Sequence, residues 1–122
     1  MPTFIEMDRT VTLADQLKDE GQSVVLINTF VVPPAEADAL LAAWTADAEI
    51  MKRQPGFVST QLHRGIAGSG TFLNYAVWDS VAAFRAAFTN PEFQARLADY
   101  PASVTASPHL FRTVAVPGIC AA

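Results

Sequence analysis

Two asparagines and a tryptophan interrupt stretches of sequence that are otherwise apolar. Asn28 lies in the middle of residues 24–32 (VVLINTFVV), Asn74 lies in Thr71–Trp78 (TFLNYAVW), and Trp78 closes that second run. Both runs are β-branched or aromatic at both parities, the pattern of strands buried on each side. Side chains alternate across a strand, so Leu26, Asn28 and Phe30 share one face of the first run. Phe72, Asn74, Ala76 and Trp78 share one face of the second. A buried carboxamide brings two N–H donors and an acceptor, and leaving them unmet costs about 1 to 3 kcal/mol. The indole N–H can only donate, and it stands beside a wide flat surface suited to stacking on an aromatic ring. Two arrangements satisfy such groups. Either they bond to one another and to backbone groups inside a core, or they face a pocket with few polar points and hold an aromatic ligand.

The remaining chemistry-bearing residues form no constellation. His63 and His109 lack spaced partners, and a metal site needs three or more ligands, so both are expected to be ordinary histidines and no metal is expected. Cys120 has no second cysteine to pair with and is expected to be an inert residue of the tail. The glycine-rich segment GIAGSG joins two strands. It is therefore neither a phosphate-binding loop nor a dinucleotide fingerprint opening a helix.

Composition narrows the classes further. The chain has 122 residues, 51% of them hydrophobic and 16% charged, which is the balance of one folded domain. A net charge of −4 with scattered basic residues excludes a phosphate-neutralising surface, so no nucleic-acid partner is expected. Apolar runs of a few residues fall far short of the roughly 20 that a membrane span requires. Glu6, Asp8, Arg9 and Asp15 stand where a secretory signal needs a basic start and an apolar core, so a cytoplasmic location is expected.

The elements that must position Asn28, Asn74 and Trp78 follow from periodicity and punctuation. Residues 1–22 carry no sustained period and read as an extension with at most a short helix, of a kind able to lie across a partner subunit. After the first strand, Pro33 and Pro34 stop extended structure and open a helix over residues 35–54. Its apolar positions are Ala37, Leu40, Leu41, Trp44, Ala48 and Met51, with Glu36, Asp38, Asp47 and Lys52 assigned elsewhere on its surface. Pro55 and Gly56 end that helix, and Phe57–Arg64 and Thr71–Trp78 form a hairpin. Asp79 or Ser80 caps a helix carrying Phe84 and Phe88. Asn90 and Pro91 restart helix with Phe93, Leu97 and Tyr100 inward, and a last strand is expected over residues 109–116.

The order is βαββαβ, the α+β ferredoxin-like pattern. It predicts a four-stranded antiparallel sheet with both helices on one face and the first and third strands at its centre. Helices cover only one face, yet the central strands are apolar on both. An exposed apolar sheet marks an interface, so a homodimer packed sheet against sheet is expected.

With those elements in place, the segment NYAVWDSVAAF, the strand ending INTF and the PGF turn resemble the antibiotic biosynthesis monooxygenase family of dimeric α/β-barrel proteins. The likeness runs over residues 23–116, leaving 1–22 as the extension and 117–122 as a tail. Family members that oxidise polyketide anthrones to quinones without metal or flavin use a first-strand Asn, a third-strand Asn and this Trp. The resemblance carries these roles to Asn28, Asn74 and Trp78. It implies oxygenation of an electron-rich anthrone, phenol or hydroquinone by O2 with no cofactor, the two asparagines holding substrate oxygens and Trp78 packing on the rings. It further implies a substrate surface of Phe30, Leu62, Phe72 and Phe84. Arg96 steadies negative charge if it points inward and is otherwise a solvated helix residue. Some relatives carry pocket tyrosines at the positions of Leu62 and Phe84, so those phenol hydrogen bonds are absent here. Haem-cleaving relatives share the Asn and the Trp but add an axial histidine on the following helix, and residues 81–100 contain none. A third class with the same fold serves as dimeric binding or stress-response modules without turnover.

Overall fold

The computed structural model describes residues Met1–Ala122. Its strands are β1 (Thr3–Phe4), β2 (Val24–Val31), β3 (Phe57–Arg64), β4 (Thr71–Trp78) and β5 (Thr105–Phe111). The helices are α1 (Leu13–Gln16), α2 (Ala37–Met51), α3 (Val81–Phe88) and α4 (Pro91–Arg96), with short 3-10 turns at Pro34–Glu36 and Leu97–Asp99. The strands form one sheet in the order β1-β5-β2-β4-β3. The two apolar runs, β2 and β4, pair antiparallel and directly oppose Asn28 to Asn74. Across the neighbouring strands Pro108 stands opposite Asn28 and Leu62 opposite Asn74, so one row of the sheet reads Pro108, Asn28, Asn74, Leu62.

The helix ends are set by short polar side chains. Ser80 Oγ accepts from the Ala83 N–H at 3.0 Å to start α3, and Asn90 Oδ1 accepts from the Glu92 N–H at 2.8 Å with Pro91 following it in α4. Gly56, at φ +87°, makes the turn between α2 and β3, and its carbonyl accepts from the Asp79 N–H at 2.8 Å. A Cβ at Gly56 would meet the Ala83 Cβ at 2.4 Å, so the turn and the start of α3 are packed as one corner.

Helices α2, α3 and α4 cover the even-numbered face of β2 and β4. The polar row divides the core beneath them into two clusters. One gathers Val24, Leu26, Trp78, Phe84, Phe93 and Leu97, and the other gathers Phe30, Leu40, Phe72, Tyr100, Val104 and Ala106. Apolar packing cannot run continuously across two carboxamides, so the seam between the clusters falls on Asn28 and Asn74.

Two boundaries depart from the sequence expectation. The extension adds a fifth strand to the expected four: β1 runs parallel to β5, with the Thr3 and Ile5 N–H groups donating to the Val104 and Ala106 carbonyls at 2.9 Å each. A strand of two residues carries no periodicity, which is why its pattern is silent. Within this chain the extension lies on its own sheet, and Leu13 of α1 is buried in the core. The last strand is Thr105–Phe111, not 109–116. Pro108 suggests a boundary in sequence but sits inside the strand. Backbone groups of even-numbered β5 residues face β1, and β1 has left the sheet by that point, so the N–H that Pro108 lacks would have had no partner strand. Beyond it, Gln16 takes over as the edge: its Oε1 accepts from the Leu110 N–H at 3.0 Å and its Nε2 donates to the Leu110 carbonyl at 2.9 Å.

The opposite face of the sheet has no helix on it. Val31, Tyr75 and Phe111 are exposed there, and Val25, Ile27, Leu73 and Val77 are half-buried.

Candidate functional site

The seam in the core opens into a cavity of about 60 Å³ between the sheet and the helices. Its floor is the even-numbered face of the sheet, with Leu26, Asn28 and Phe30 of β2, Asn74, Ala76 and Trp78 of β4, and Ala106 and Pro108 of β5. Its roof is Trp44, Asp47 and Met51 of α2, Phe84 and Phe88 of α3, and Phe93 of α4. Pro2 and Phe4 from the N-terminal segment reach one wall.

The polar groups of the floor are oriented to donate. Asn28 Oδ1 accepts from the Ser107 N–H at 3.0 Å. Because a backbone N–H can only donate, that bond fixes which end of the carboxamide is oxygen and leaves Nδ2 as the free end. Asn74 Oδ1 accepts from the Thr60 hydroxyl at 2.5 Å, and its Nδ2 makes no hydrogen bond within the protein. Trp78 is 1% exposed, and its Nε1–H is buried without a partner. The indole is held edge-on between Phe57, with centroids 5.4 Å apart, and Phe84, at 5.7 Å, so it cannot swing out to find water. Three donor groups therefore make no hydrogen bond within the protein: the Nδ2 groups of Asn28 and Asn74, which line the cavity, and the Trp78 Nε1–H, which is buried. The buried indole N–H carries a desolvation cost that a ligand oxygen would relieve.

Of the other residues expected at a substrate surface, Phe30 and Phe84 line the cavity and Leu62 and Phe72 do not. Leu62 packs against the second core cluster, and Phe72 is buried in that cluster with the Arg64 guanidinium 5.1 Å from its ring centroid. Both lie on the cavity's face of the sheet but off its outline, in the outer strand or in the next row. Arg96 points to solvent. It is exposed and pairs with Asp99 at 3.4 Å one helical turn away. Both histidines have the parity opposite to their cavity-lining neighbours. His63 is exposed, and His109, on the sheet face that carries no helix, is itself buried, with Nε2 3.1 Å from Gln16 Nε2 and Nδ1 without a partner. No nitrogen ligand for an iron centre reaches the cavity, and no three His, Cys, Asp or Glu side chains converge anywhere in the chain.

Sequence reasoning placed one important residue on the wrong side of its helix. Asp47 was expected on the polar surface of α2, but it is buried and lines the cavity roof. Its position is legible in retrospect. Leu40, Ala43, Asp47, Ile50 and Met51 recur at three- and four-residue steps, and all five are buried. Burial pushes the Asp47 carboxyl up to about 7, partly offset by the one hydrogen bond that it accepts, from the Tyr100 hydroxyl to Oδ2. The same burial, with the carboxylate beside it, pushes the Tyr100 phenol above its ordinary range. Thr60 was likewise missed, because an exposed-looking hydroxyl in a polar hairpin strand gives no sign that it orients Asn74.

A five-stranded α+β sheet of ferredoxin-like order, with an apolar cavity under its helices and carboxamide donors in its central strands, defines the structural class. The family model for antibiotic biosynthesis monooxygenase matches residues 23–98, and the chain belongs to that family. Deoxynogalonate monooxygenase of Streptomyces nogalater is 36% identical over 76 residues, covering 61% of this chain. That match spans 62% of the relative's own length. Among solved structures, SnoaB of Streptomyces nogalater, described as a cofactor-independent oxygenase, superposes with a TM-score of 0.67 at 29% identity, over 80% of this chain and 99% of that one. Rv0793 of Mycobacterium tuberculosis shares the fold, with a TM-score of 0.63 at 18% identity over 79% of this chain and 99% of that one. The family match excludes residues 1–22, the segment that supplies Pro2 and Phe4 to the cavity wall.

Proposed function

We propose that this protein is a cofactor-independent oxygenase that converts a flat, electron-rich aromatic carrying an acidic C–H or O–H, of the anthrone, phenol or hydroquinone type, to a quinone with O2. One arrangement supports this reading above all: three unpartnered donor groups, the Nδ2 of Asn28 and of Asn74 and the Nε1–H of Trp78, on the floor of an apolar cavity. Donors fixed where negative charge develops stabilise an oxyanion without having to reorganise, and the dry surroundings strengthen them. The asparagine Nδ2 groups donate to the substrate oxygen and favour its anionic form. Trp78 packs against the rings and donates to the oxygen that adds. The electron-rich anion then gives an electron to O2, so the protein's tasks are orientation, desolvation and charge stabilisation. For an anthrone the balance is a ring methylene and O2 giving a ring carbonyl and water. A multi-ring substrate is larger than the 60 Å³ cavity, so the wall yields on entry, and the flexible thioether of Met51 is suited to that movement.

The test is quinone formation and oxygen uptake when metal-stripped protein meets anthrone or a hydroquinone in air. Acceleration over buffer that drops in Trp78→Phe supports the reading. No acceleration across such a panel overturns it and favours a binding module.

The uncovered sheet face belongs to the same proposal. A second copy packed sheet against sheet buries Val25, Ile27, Leu73, Tyr75, Val77 and Phe111, which a lone chain leaves exposed or half-exposed. Light scattering at micromolar concentration is expected to give twice the chain's 13.1 kDa. A monodisperse 13.1 kDa species would exclude the dimer.

A further inference from the structure

Building on the oxygenase reading, we propose that Asp47 is the general base that takes the substrate proton, with Tyr100 as the residue that positions its carboxylate. The donors of the floor bind an oxygen and stabilise charge, but none of them can accept a proton. Of the residues lining the cavity, Asp47 and Tyr100 are the titratable ones. Asp47, from α2, lines the same cavity as Asn28 and Asn74 of the sheet. A flat substrate lying between them puts its oxygen on the donors and its acidic C–H or O–H toward α2. Tyr100 donates to Oδ2 of Asp47, and that is the carboxylate's one hydrogen bond. Oδ1 is left for the substrate.

A purely structural role accounts poorly for this pair. The buried stripe of α2 is otherwise Ala37, Leu40, Ala43, Ile50 and Met51, and an apolar residue at position 47 would complete it without the cost of burying a carboxyl. A carboxyl raised to about 7 in a cleft is matched to proton transfer near neutral pH. No cation offsets it. Arg96 pairs outward with Asp99, Lys52 pairs with Glu49 on the exposed side of α2, Arg53 pairs with Glu92, and the Met1 ammonium donates to the Tyr100 backbone carbonyl at 3.1 Å.

For an anthrone the protons close. Asp47 takes one methylene proton and leaves the electron pair on the ring system as an enolate. The enolate passes one electron to O2, the two radicals join through a new C–O bond, and the peroxide anion takes the proton back from Asp47. Asp47 then removes the second proton from the same carbon as the O–O bond breaks, the C–H pair becomes the carbonyl π bond, and the departing hydroxide collects that proton as water. The carboxylate is regenerated, O2 is reduced, and the carbon is oxidised.

The first proton transfer needs no oxygen and is measured separately. Anthrone is incubated with the protein in D2O under nitrogen, and deuterium entry at the methylene is followed by NMR or mass spectrometry. The wild type is expected to accelerate exchange, with a rate that rises with pH through a single ionisation. Asp47→Asn, which keeps the side chain's shape, is expected to lower exchange at least about 100-fold. In Tyr100→Phe the carboxylate loses its only donor, so the ionisation moves to higher pH. That displacement is one a merely structural tyrosine would not produce, and it keeps the proposal open to test if Asp47→Asn fails to fold. Unchanged exchange and quinone formation in Asp47→Asn would overturn the assignment and leave the oxygenase reading standing. Exchange without quinone formation in air would support the base and sink the oxygenase. Neither activity in the wild type would remove both.

Discussion

Asn74→Ala is expected to lower the rate of quinone formation by about 100- to 1,000-fold, the usual consequence of deleting one preorganised donor to a developing oxyanion. The size of the effect follows from the environment. The Asn74 Nδ2 has no protein partner, lies on the floor of an apolar cavity, and is held by the Thr60 hydroxyl at its other end, so it loses little in reorganisation when charge appears. Stability should change far less, because the substitution leaves only the Thr60 hydroxyl without its acceptor, a loss of about 1 kcal/mol. The comparison is a rate measurement beside a urea titration of the same variant. A rate within threefold of wild type would show that Asn74 does not touch the reacting oxygen. Thr60→Val should give a smaller loss of rate in the same direction, since it frees the carboxamide to rotate without removing it.

Phe84→Ala is the change expected to cost most in folding, about 3 to 5 kcal/mol. Phe84 is fully buried and sits inside a run of aromatic rings, 5.7 Å from Trp78 and 5.5 Å from Phe88, which in turn lies 5.7 Å from Phe93. That run joins the end of β4 to α3 and α4, so the space left behind cannot close without moving the helices that roof the cavity. Urea unfolding should show a lower midpoint with an unchanged slope. The chemistry should suffer as well. Phe84 is one of the two rings that hold the indole edge-on, and without it Trp78 gains room to turn its N–H away from the cavity. A loss below about 1 kcal/mol would mean that the aromatic run is looser than its geometry implies. Phe84→Leu, which keeps most of the volume, should recover much of the stability.

How far the site was readable in the sequence differs from residue to residue, and the reason is locality. Asn28, Asn74 and Trp78 stand out because strand parity is a local property: each alternates with apolar neighbours in its own run, and a polar residue at a buried parity is conspicuous by itself. That Asn28 and Asn74 are exact neighbours across the sheet is a matter of register, which depends on the β3–β4 hairpin and on how β2 docks against β4. Leu62 and Phe72 share the right face, yet the cavity outline passes them by, because parity gives the face and not the distance along it. Arg96 lies at the end of α4, where three or four residues of helix decide between cavity and solvent. Asp47 shows the opposite error. A charged residue in an amphipathic helix is assigned outward by habit, although its spacing from Leu40, Ala43 and Ile50 places it on the buried stripe.

The fold itself divides along the same line. The βαββαβ order, the pairing of the two apolar strands at the centre and the capping residues Ser80 and Asn90 depend on patterns within one element or across one turn, and residues 24–100 carry them openly. The edge of the sheet does not. β1 is too short to have a period, Pro108 is tolerated only because β1 has already departed, and Gln16 completes the edge with a side chain from a different part of the chain. Sequence alone therefore determined the class of fold and the carboxamide and indole donors, because alternation and punctuation act over a few residues. The tertiary structure decided where the core parts into two clusters, that each carboxamide oxygen is engaged by a neighbouring donor, and that a buried carboxyl from α2 lines the same cavity. Those facts depend on packing and register between segments distant in the chain, where a shift of one residue exchanges core for solvent.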